Sequence, residues 1–212
     1  MGRRPLGSAR RLVYAVIMTM SQDTNSLAAH RPTRPPAIDR PIALVGMMGS
    51  GKSTVGRRLA RQLSVPFVDS DAEVEAAANC AVSDIFDRYG EEAFRSGEQR
   101  VLERLLDGRP KVIATGGGAF IRPETRELIQ QRAVSIWLQA DLDTLVDRTG
   151  RKDNRPLLRG KDRRATLADL LDQRTPVYGE AHIHVASSQG PHAKVVGDIV
   201  AALSAYFGKN DR

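Results

Sequence analysis

Residues 42–53 read IALVGMMGSGKS. The first four residues are apolar and lie between Pro41 and Gly46, which is typical of a short buried strand. The next eight match the pattern G-x-x-x-x-G-K-[ST] in full. Glycines let the backbone curl so that its N–H groups face phosphate oxygens, and a helix that begins near Lys52 adds its positive dipole end. The stretch therefore predicts a phosphate-binding loop (P-loop, residues 46–53) between a strand and a helix.

The side chains of the P-loop predict ATP and Mg²⁺ as ligands. In such loops the lysine, here Lys52, reaches the β- and γ-phosphates, and the hydroxyl in the position of Ser53 binds Mg²⁺. The alternative is a glycine-rich turn with a solvated lysine, which the position between a predicted strand and a predicted helix disfavours. We expect the nucleotide to contact Gly49, Ser50, Gly51, Lys52, Ser53 and Thr54.

Short apolar runs alternate with segments of helical periodicity along the rest of the chain. The predicted strands are Ile42–Val45, 67–68, Val112–Ala114, 134–138 and 182–186. The predicted helices are Lys52–Leu63, 71–77, 83–87, 91–106, 123–131, 141–148, 164–174 and 193–207. This alternation favours an α/β fold with a parallel sheet covered on both faces. Residues 149–161, TGRKDNRPLLRGK, fit neither pattern and predict a mobile loop between two helices.

Residues 1–40 differ in composition from the rest. They contain seven Arg and two Asp, which leaves 25 basic and 23 acidic residues in 41–212 although the net charge of the chain is +7. Their apolar run, 12–18, loosely resembles part of a signal or transit peptide but is too short to span a bilayer. We interpret 1–40 as a disordered extension and 41–212 as a single domain. A cytoplasmic location is expected, because export would separate the P-loop from ATP.

Several function classes are disfavoured by composition. The near balance of charge in 41–212 argues against nucleic-acid binding. The single cysteine, Cys80, excludes an intrachain disulfide. The histidines His30, His182, His184 and His192 lack the spacing of metal ligands. No large apolar surface helix is predicted, so a monomer that does not bind membranes is the expected state.

Two carboxylates follow the second predicted strand, at Asp69 and Asp71. Functional groups collect at the carboxyl ends of strands in open parallel sheets. One carboxylate can help hold Mg²⁺ while the other orients a substrate hydroxyl or accepts its proton. The alternative is that Asp71 only caps the helix that begins there.

Arginines and a triple glycine are candidates for binding an anionic substrate. Arg95, Arg155 and Arg174 carry guanidinium groups that suit a carboxylate or a phosphate, although any of them can equally be a solvated surface residue. Residues 116–118 are three glycines at the end of the third predicted strand. They permit close backbone approach by a ligand, or they form a plain turn.

Taken in order, the motifs GMMGSGKST, FVDSD, FRSGE, TGGGA, RPLL and RTPVY resemble those of shikimate kinases, within the adenylate-kinase-like group of P-loop kinases. The similarity covers about residues 41–207. It implies a P-loop NTPase fold with a five-stranded parallel sheet, a lid loop at about 149–161 and a helical substrate-binding region. It also implies transfer of the ATP γ-phosphate to the 3-hydroxyl of shikimate, on the route to chorismate and the aromatic amino acids.

The resemblance implies roles for individual residues on the substrate side. Asp71 is expected to contact shikimate hydroxyls and to act as the base, and Asp69 to support the Mg²⁺ site beside Ser53. The substrate carboxylate is expected to be clamped by Arg95 and Arg174, with backbone contacts from Gly117 and Gly118.

On the nucleotide side, the resemblance places Arg155 in the lid, where it would reach the ATP phosphates as the lid closes and assist catalysis together with Lys52. Arg148 is expected to pack on adenine, and the loop 187–191 to border the same ring.

Three alternative functions stay open at this point. One is a kinase of the same fold that acts on gluconate or a nucleoside monophosphate, and the pair of arginines with the triple glycine argues against it. The second is a P-loop NTPase switch, although a guanine-reading Asn-Lys-x-Asp motif is absent from the sequence. The third is a non-catalytic nucleotide-binding module, which the intact set Lys52, Ser53, Asp69 and Asp71 disfavours.

Overall fold

The computed structural model describes residues 36–150, 158, 160, 162–187 and 191–210. Its strands are β1 (Ile42–Val45), β2 (Phe67–Asp69), β3 (Val112–Ala114), β4 (Val134–Gln139) and β5 (Ile183–Ala186). Its α-helices are α1 (Lys52–Leu63), α2 (Ser70–Ala78), α3 (Val82–Leu105), α4 (Pro123–Arg132), α5 (Leu142–Gly150), α6 (Arg163–Tyr178) and α7 (His192–Asn210). A short 3₁₀ turn, Ala119–Ile121, follows the triple glycine.

The five strands form one parallel sheet in the order β2-β3-β1-β4-β5. β1 is central, and its residue Ile42 pairs with Val112 on one side and with Val134 on the other. The predicted α/β fold with a five-stranded parallel sheet is confirmed. Since all strands point the same way, the segments that follow β1, β2 and β3 emerge at one edge of the sheet, where such folds bind ligands.

Alternate residues of β1 face opposite sides of the sheet. Ile42 and Leu44 belong to one buried cluster and Ala43 and Val45 to the other. The helices that contribute to the first cluster are α1 and α7, and those that contribute to the second are α2 to α6. The continuous apolar character of β1 thus follows from burial on both faces.

The predicted break between the helical segments 83–87 and 91–106 is confirmed: both lie in α3, which is interrupted at Gly90, whose φ of 80° and ψ of 171° are not helical and favour glycine. Two predicted helix ends need correction. α6 was predicted to end at residue 174 but continues through Pro176 to Tyr178, because burial of the Tyr178 ring outweighs the backbone hydrogen bond lost at proline. α5 extends to Gly150, two residues into the predicted loop 149–161, because Thr149 is buried and its hydroxyl donates to the Leu145 carbonyl at 2.7 Å.

The predicted lid and the predicted amino-terminal extension lie largely outside the described residues. Most of the predicted lid, 151–157 with 159 and 161, lies outside them, and so does 1–35 of the predicted extension. Ile38, within that extension, packs against the cluster that contains Ile42 and Leu44. Among the helices of the described ranges, none is both long enough and apolar enough to cross a membrane.

Candidate active site

The P-loop wraps around the amino end of α1. Gly46, Gly49 and Gly51 have φ angles of 132°, 85° and 96°, which favour glycine and let the loop reverse direction within a few residues. Lys52 is the first residue of α1 and is buried. Its ammonium group donates to the carbonyls of Gly46 at 2.7 Å and Met47 at 2.9 Å. The lysine charge is therefore held at the mouth of the loop, where phosphates would lie.

Ser187, which follows β5, and Arg148, in the last turn of α5, brace the P-loop. The buried Ser187 hydroxyl donates to the Ser50 carbonyl at 2.7 Å, and the guanidinium of Arg148 lies 3.4 Å from the carbonyls of Gly49 and Ser50. The structure thus brings Arg148 and the start of the loop 187–191 to the nucleotide side of the site. Their contact with adenine stays a prediction, and residues 188–190 lie outside the described part.

Ser53 and Asp69 meet as a pair of oxygen donors. The Ser53 hydroxyl donates to Asp69 Oδ2 at 2.7 Å. Asp69 also caps α2, because its Oδ1 accepts from the Asp71 backbone N–H at 3.2 Å. The alternative that Asp71 caps this helix is therefore wrong: Asp69 is the cap, and the Asp71 side chain is left for another purpose.

Asp71 points an enclosed carboxylate oxygen, Oδ1, toward Gly116. Within the described residues this oxygen has no hydrogen-bond partner. Burial raises the pKa of Asp71 to about 6, and the nearby charges of Glu98 and Asp69 add to the rise while Lys52 and Arg95 oppose it. A carboxylate whose pKa lies near neutrality, with an unpaired acceptor, is well suited to accept a proton from a substrate hydroxyl.

Glu98 is a site residue that the sequence analysis missed. Its side chain is buried and pairs with Arg95 at 2.8 Å, while Arg95 also contacts Glu91 at 3.0 Å. Burial raises the pKa of Glu98, which the charge of Arg95 opposes. The pair holds the Arg95 guanidinium in one orientation. The signal was available, since an acid three residues after an arginine shares its helix face.

The triple glycine brings the substrate-side residues together. A Cβ atom on Gly118 would lie 2.4 Å from Arg95 Nη2, and one on Gly116 would lie 2.1 Å from Glu98 Oε1. Arg174 Nη1 lies 3.3 Å from the Gly117 carbonyl. The two predicted carboxylate-binding arginines, which are distant in sequence, thus meet at one turn, residues 116–118, beside Asp71.

Tyr178 is the second residue that the sequence analysis missed. It is fully buried at the end of α6, and its hydroxyl donates to the Gly117 carbonyl. Its position in the quoted motif RTPVY, four residues after Arg174, was the available signal, because residues four apart lie on the same helix face.

Gly118→Ala tests whether the close approach to Arg95 matters. Gly118 has φ −105° and ψ −9°, which alanine adopts without strain, so the main effect is displacement of the Arg95 guanidinium. We expect the KM for the anionic substrate to rise about tenfold, because a charge-assisted hydrogen bond is misplaced. Steady-state kinetics with each substrate varied in turn measures this effect.

The matched control for Gly118→Ala is Gly197→Ala, in α7. Nothing lies within 4 Å of a Cβ placed at Gly197, and alanine is favoured over glycine in a helix. The control should match the wild type in both KM values. Equal KM values for Gly118→Ala and wild type would show that Arg95 does not bind the substrate from its observed position.

The remaining predicted residues are distributed as follows. Thr54 is exposed in the first turn of α1, and Arg155 lies outside the described residues. His182 hydrogen-bonds to Ser135 at 2.8 Å. No group of three or more His, Cys, Asp or Glu side chains within the described ranges could hold a metal ion. Cys80 is a free, half-buried thiol.

Known proteins are similar to this chain over most of its length. The shikimate kinase family model matches residues 48–204. A shikimate kinase from Rhodopseudomonas palustris is 50% identical over 193 residues, covering 89% of this chain and 95% of the relative. One from Caulobacter vibrioides is 56% identical over 162 residues, covering 76% and 81%. The solved structure of an Acinetobacter baumannii shikimate kinase in complex with shikimate matches with a TM-score of 0.77 at 38% identity, covering 79% of this chain and 94% of that one.

Proposed function

The chain belongs to the shikimate kinase family, and on that basis we propose how its residues bind, orient and activate the two substrates. The enzyme transfers the γ-phosphoryl group of ATP to the 3-hydroxyl of shikimate, which yields shikimate 3-phosphate and ADP. The observation that carries the assignment of residues is the convergence of Asp71, Arg95 and Arg174 on the turn 116–118, next to the P-loop.

The substrate carboxylate is bound by Arg95 and Arg174. Glu98 and Glu91 hold the Arg95 guanidinium at the turn 116–118, and Arg174 reaches the same turn from α6. The carboxylate is remote from the hydroxyl that reacts, so the arginines orient shikimate rather than take part in bond making. When the arginines hold the carboxylate, the 3-hydroxyl of shikimate lies between Asp71 and the P-loop.

Phosphoryl transfer then requires alignment and charge neutralisation. The shikimate 3-oxygen forms a bond to the γ-phosphorus as the bond to the β,γ-bridging oxygen breaks, and the hydroxyl proton passes to Asp71 Oδ1. Lys52 and the P-loop N–H groups surround the transferred group with positive charge. Arg155 is proposed to add to that charge from the lid, and lid closure to exclude water as a competing acceptor.

Mg²⁺ is proposed to bind at Ser53 and Asp69. The 2.7 Å contact between the Ser53 hydroxyl and Asp69 Oδ2 brings together a hydroxyl and a carboxylate, which are ligands that suit Mg²⁺. Mg²⁺ usually keeps several waters and binds few protein groups in kinase sites, so two oxygen donors fit it without a larger cluster. When bound, the ion supplies positive charge to the β- and γ-phosphates.

Ser53→Ala is expected to raise the Mg²⁺ concentration that gives half-maximal activity about tenfold, because one ligand is lost and Asp69 loses its hydroxyl partner. Turnover measured over a range of Mg²⁺ concentrations at saturating ATP gives this value. Ser204→Ala, in α7, removes a hydroxyl that bonds only within its own helix and serves as the control. An unchanged Mg²⁺ requirement in Ser53→Ala would remove Ser53 from the metal site.

The function itself is tested by a coupled ADP-release assay with Mg-ATP. We expect turnover that depends on shikimate, with little ADP release in its absence or with gluconate as acceptor. ADP release that does not depend on shikimate would indicate a hydrolase. Turnover with gluconate alone would show that the arginine pair does not select for shikimate.

We further propose that the enzyme acts as a monomer in the cytoplasm, where ATP is available, with residues 41–212 as the kinase domain and 1–40 as an extension. Among the described residues, Tyr89 is the only large hydrophobic side chain that is exposed, which supports a monomer. Light scattering of the purified chain measures its mass, and a dimer mass would contradict this assignment.

A further inference from the structure

Tyr178 is packed into the core although it is the last residue of α6. Its side chain is fully buried, and its ring stacks on Trp137 of β4 with centroids 5.9 Å apart and planes at 27°. Trp137 in turn lies against the first glycine of the P-loop, because a Cβ on Gly46 would be 3.2 Å from Trp137 Cδ1. The sheet and α6 therefore set the position of the Tyr178 hydroxyl.

That hydroxyl donates to the Gly117 carbonyl, which cannot itself be a donor. Burial raises the pKa of Tyr178 to about 12, so the hydroxyl stays protonated and keeps donating at any physiological pH. Gly117 also lies against the P-loop, since a Cβ on it would be 3.2 Å from the Met48 nitrogen. The hydrogen bond thus fixes the turn that separates the substrate residues from the P-loop.

Arg174 shares the same carbonyl. Its Nη1 atom lies 3.3 Å from the Gly117 oxygen, at the long end of the hydrogen-bond range. Under the proposed function, Arg174 binds the substrate carboxylate, so its guanidinium must turn from the carbonyl toward the substrate. The half-buried Gly117 carbonyl then depends on its other donor, the Tyr178 hydroxyl, because a partly enclosed carbonyl without a partner is costly.

We propose that Tyr178 is a positioning residue for shikimate binding: its hydroxyl keeps the Gly117 carbonyl paired, which frees Arg174 to bind the substrate carboxylate. This inference rests on the proposed function and adds a residue to it. In this role Tyr178 acts through Gly117 and Arg174, which its hydroxyl contacts, and it is assigned no contact with substrate or nucleotide.

Tyr178→Phe removes the hydroxyl and keeps the ring, so the core packing is preserved. In this variant Arg174 becomes the only donor to the Gly117 carbonyl among the described residues, and shikimate must compete with that carbonyl for the guanidinium. We expect the shikimate KM to rise about tenfold, while the ATP KM and kcat change by less than about twofold. A residue that only stabilises the fold would not separate the two KM values.

Tyr206→Phe, in α7, is the matched control. Tyr206 packs against His182 and Phe207, away from the turn 116–118, and undergoes the same loss of one hydroxyl. Its KM values should match those of the wild type. Calorimetric titration with shikimate reports the dissociation constant separately from the fraction of competent protein, so it tests Tyr178→Phe even if part of that variant is unfolded.

The outcomes separate this inference from the proposed function. A selective rise in the shikimate KM and dissociation constant of Tyr178→Phe supports the positioning role. Unchanged shikimate affinity, or an equal rise in both KM values, would overturn it while an active wild type upholds the kinase assignment. A wild type without shikimate-dependent turnover would overturn both.

Discussion

Replacing Asp71 with Asn is expected to lower kcat by about 10²–10⁴-fold, the usual contribution of a general base. Asn has the same shape as Asp but cannot accept the proton of the shikimate 3-hydroxyl. The change leaves Lys52, Ser53 and Asp69 in place, so the KM for ATP should stay near the wild-type value. It also removes a negative charge near Glu98, whose charge raises the pKa of Asp71, so no loss of folding stability is expected.

The measurement is kcat and both KM values for wild type and Asp71→Asn, with ATP binding determined separately by titration. Asp198→Asn serves as the control, because it makes the same chemical change at an exposed ion pair with Lys194, and such pairs contribute little. A kcat close to that of the wild type in Asp71→Asn would exclude Asp71 as the base and leave it only a binding role.

Arg174→Ala is expected to raise the shikimate KM by about 10- to 150-fold, because hydrogen bonds to charged groups contribute about 1.5–3 kcal/mol. The ATP KM should change far less, since the described contacts of Arg174 are with the turn 116–118 and with Tyr178 rather than with the P-loop. The Gly117 carbonyl keeps its Tyr178 donor in this variant, so the turn should hold its shape.

Kinetics with each substrate varied at a saturating concentration of the other gives the two KM values. Arg132→Ala is a suitable control, because this exposed arginine ends α4 just before β4 begins, at the opposite edge of the sheet. If Arg174→Ala raised both KM values equally, the arginine would act on the whole fold rather than on the substrate carboxylate.

Much of the fold could be predicted because its signals are local. The apolar run Ile42–Val45, the glycine pattern that follows it and the periodicity of Lys52–Leu63 each depend on neighbouring residues, and the structure has a strand, a P-loop and a helix there. The boundaries were predicted less well. α6 passes Pro176 because the Tyr178 ring is buried, and that burial depends on β4, which lies about forty residues earlier in the chain.

The residues of the candidate site also fall into two groups, those marked by local motifs and those that depend on distant contacts. Lys52, Ser53, Asp69 and Asp71 could be selected from motifs next to predicted strands, since the carboxyl ends of parallel strands meet at one edge. Glu98 and Tyr178 share helix faces with Arg95 and Arg174, which is a sequence signal, but their burial against the glycine turn 116–118 is visible only in the fold, because that turn is distant in sequence.

The chain's own residue order was therefore enough to predict the α/β alternation and the family, both of which are confirmed, and to propose the phosphate-binding role of residues 46–53. These features depend on patterns among neighbouring residues, which are the same whatever position a segment takes in the fold. The cap formed by Asp69 instead of Asp71, the pairing of Arg95 with Glu98 and the shared Gly117 carbonyl emerged only from the folded molecule. The shared Gly117 carbonyl depends on the strand order β2-β3-β1-β4-β5 and on side chains packed across it, which no local pattern links. The cap and the Arg95–Glu98 pair join residues two and three positions apart, but a local pattern allows several partners and only burial in the folded chain selects one of them.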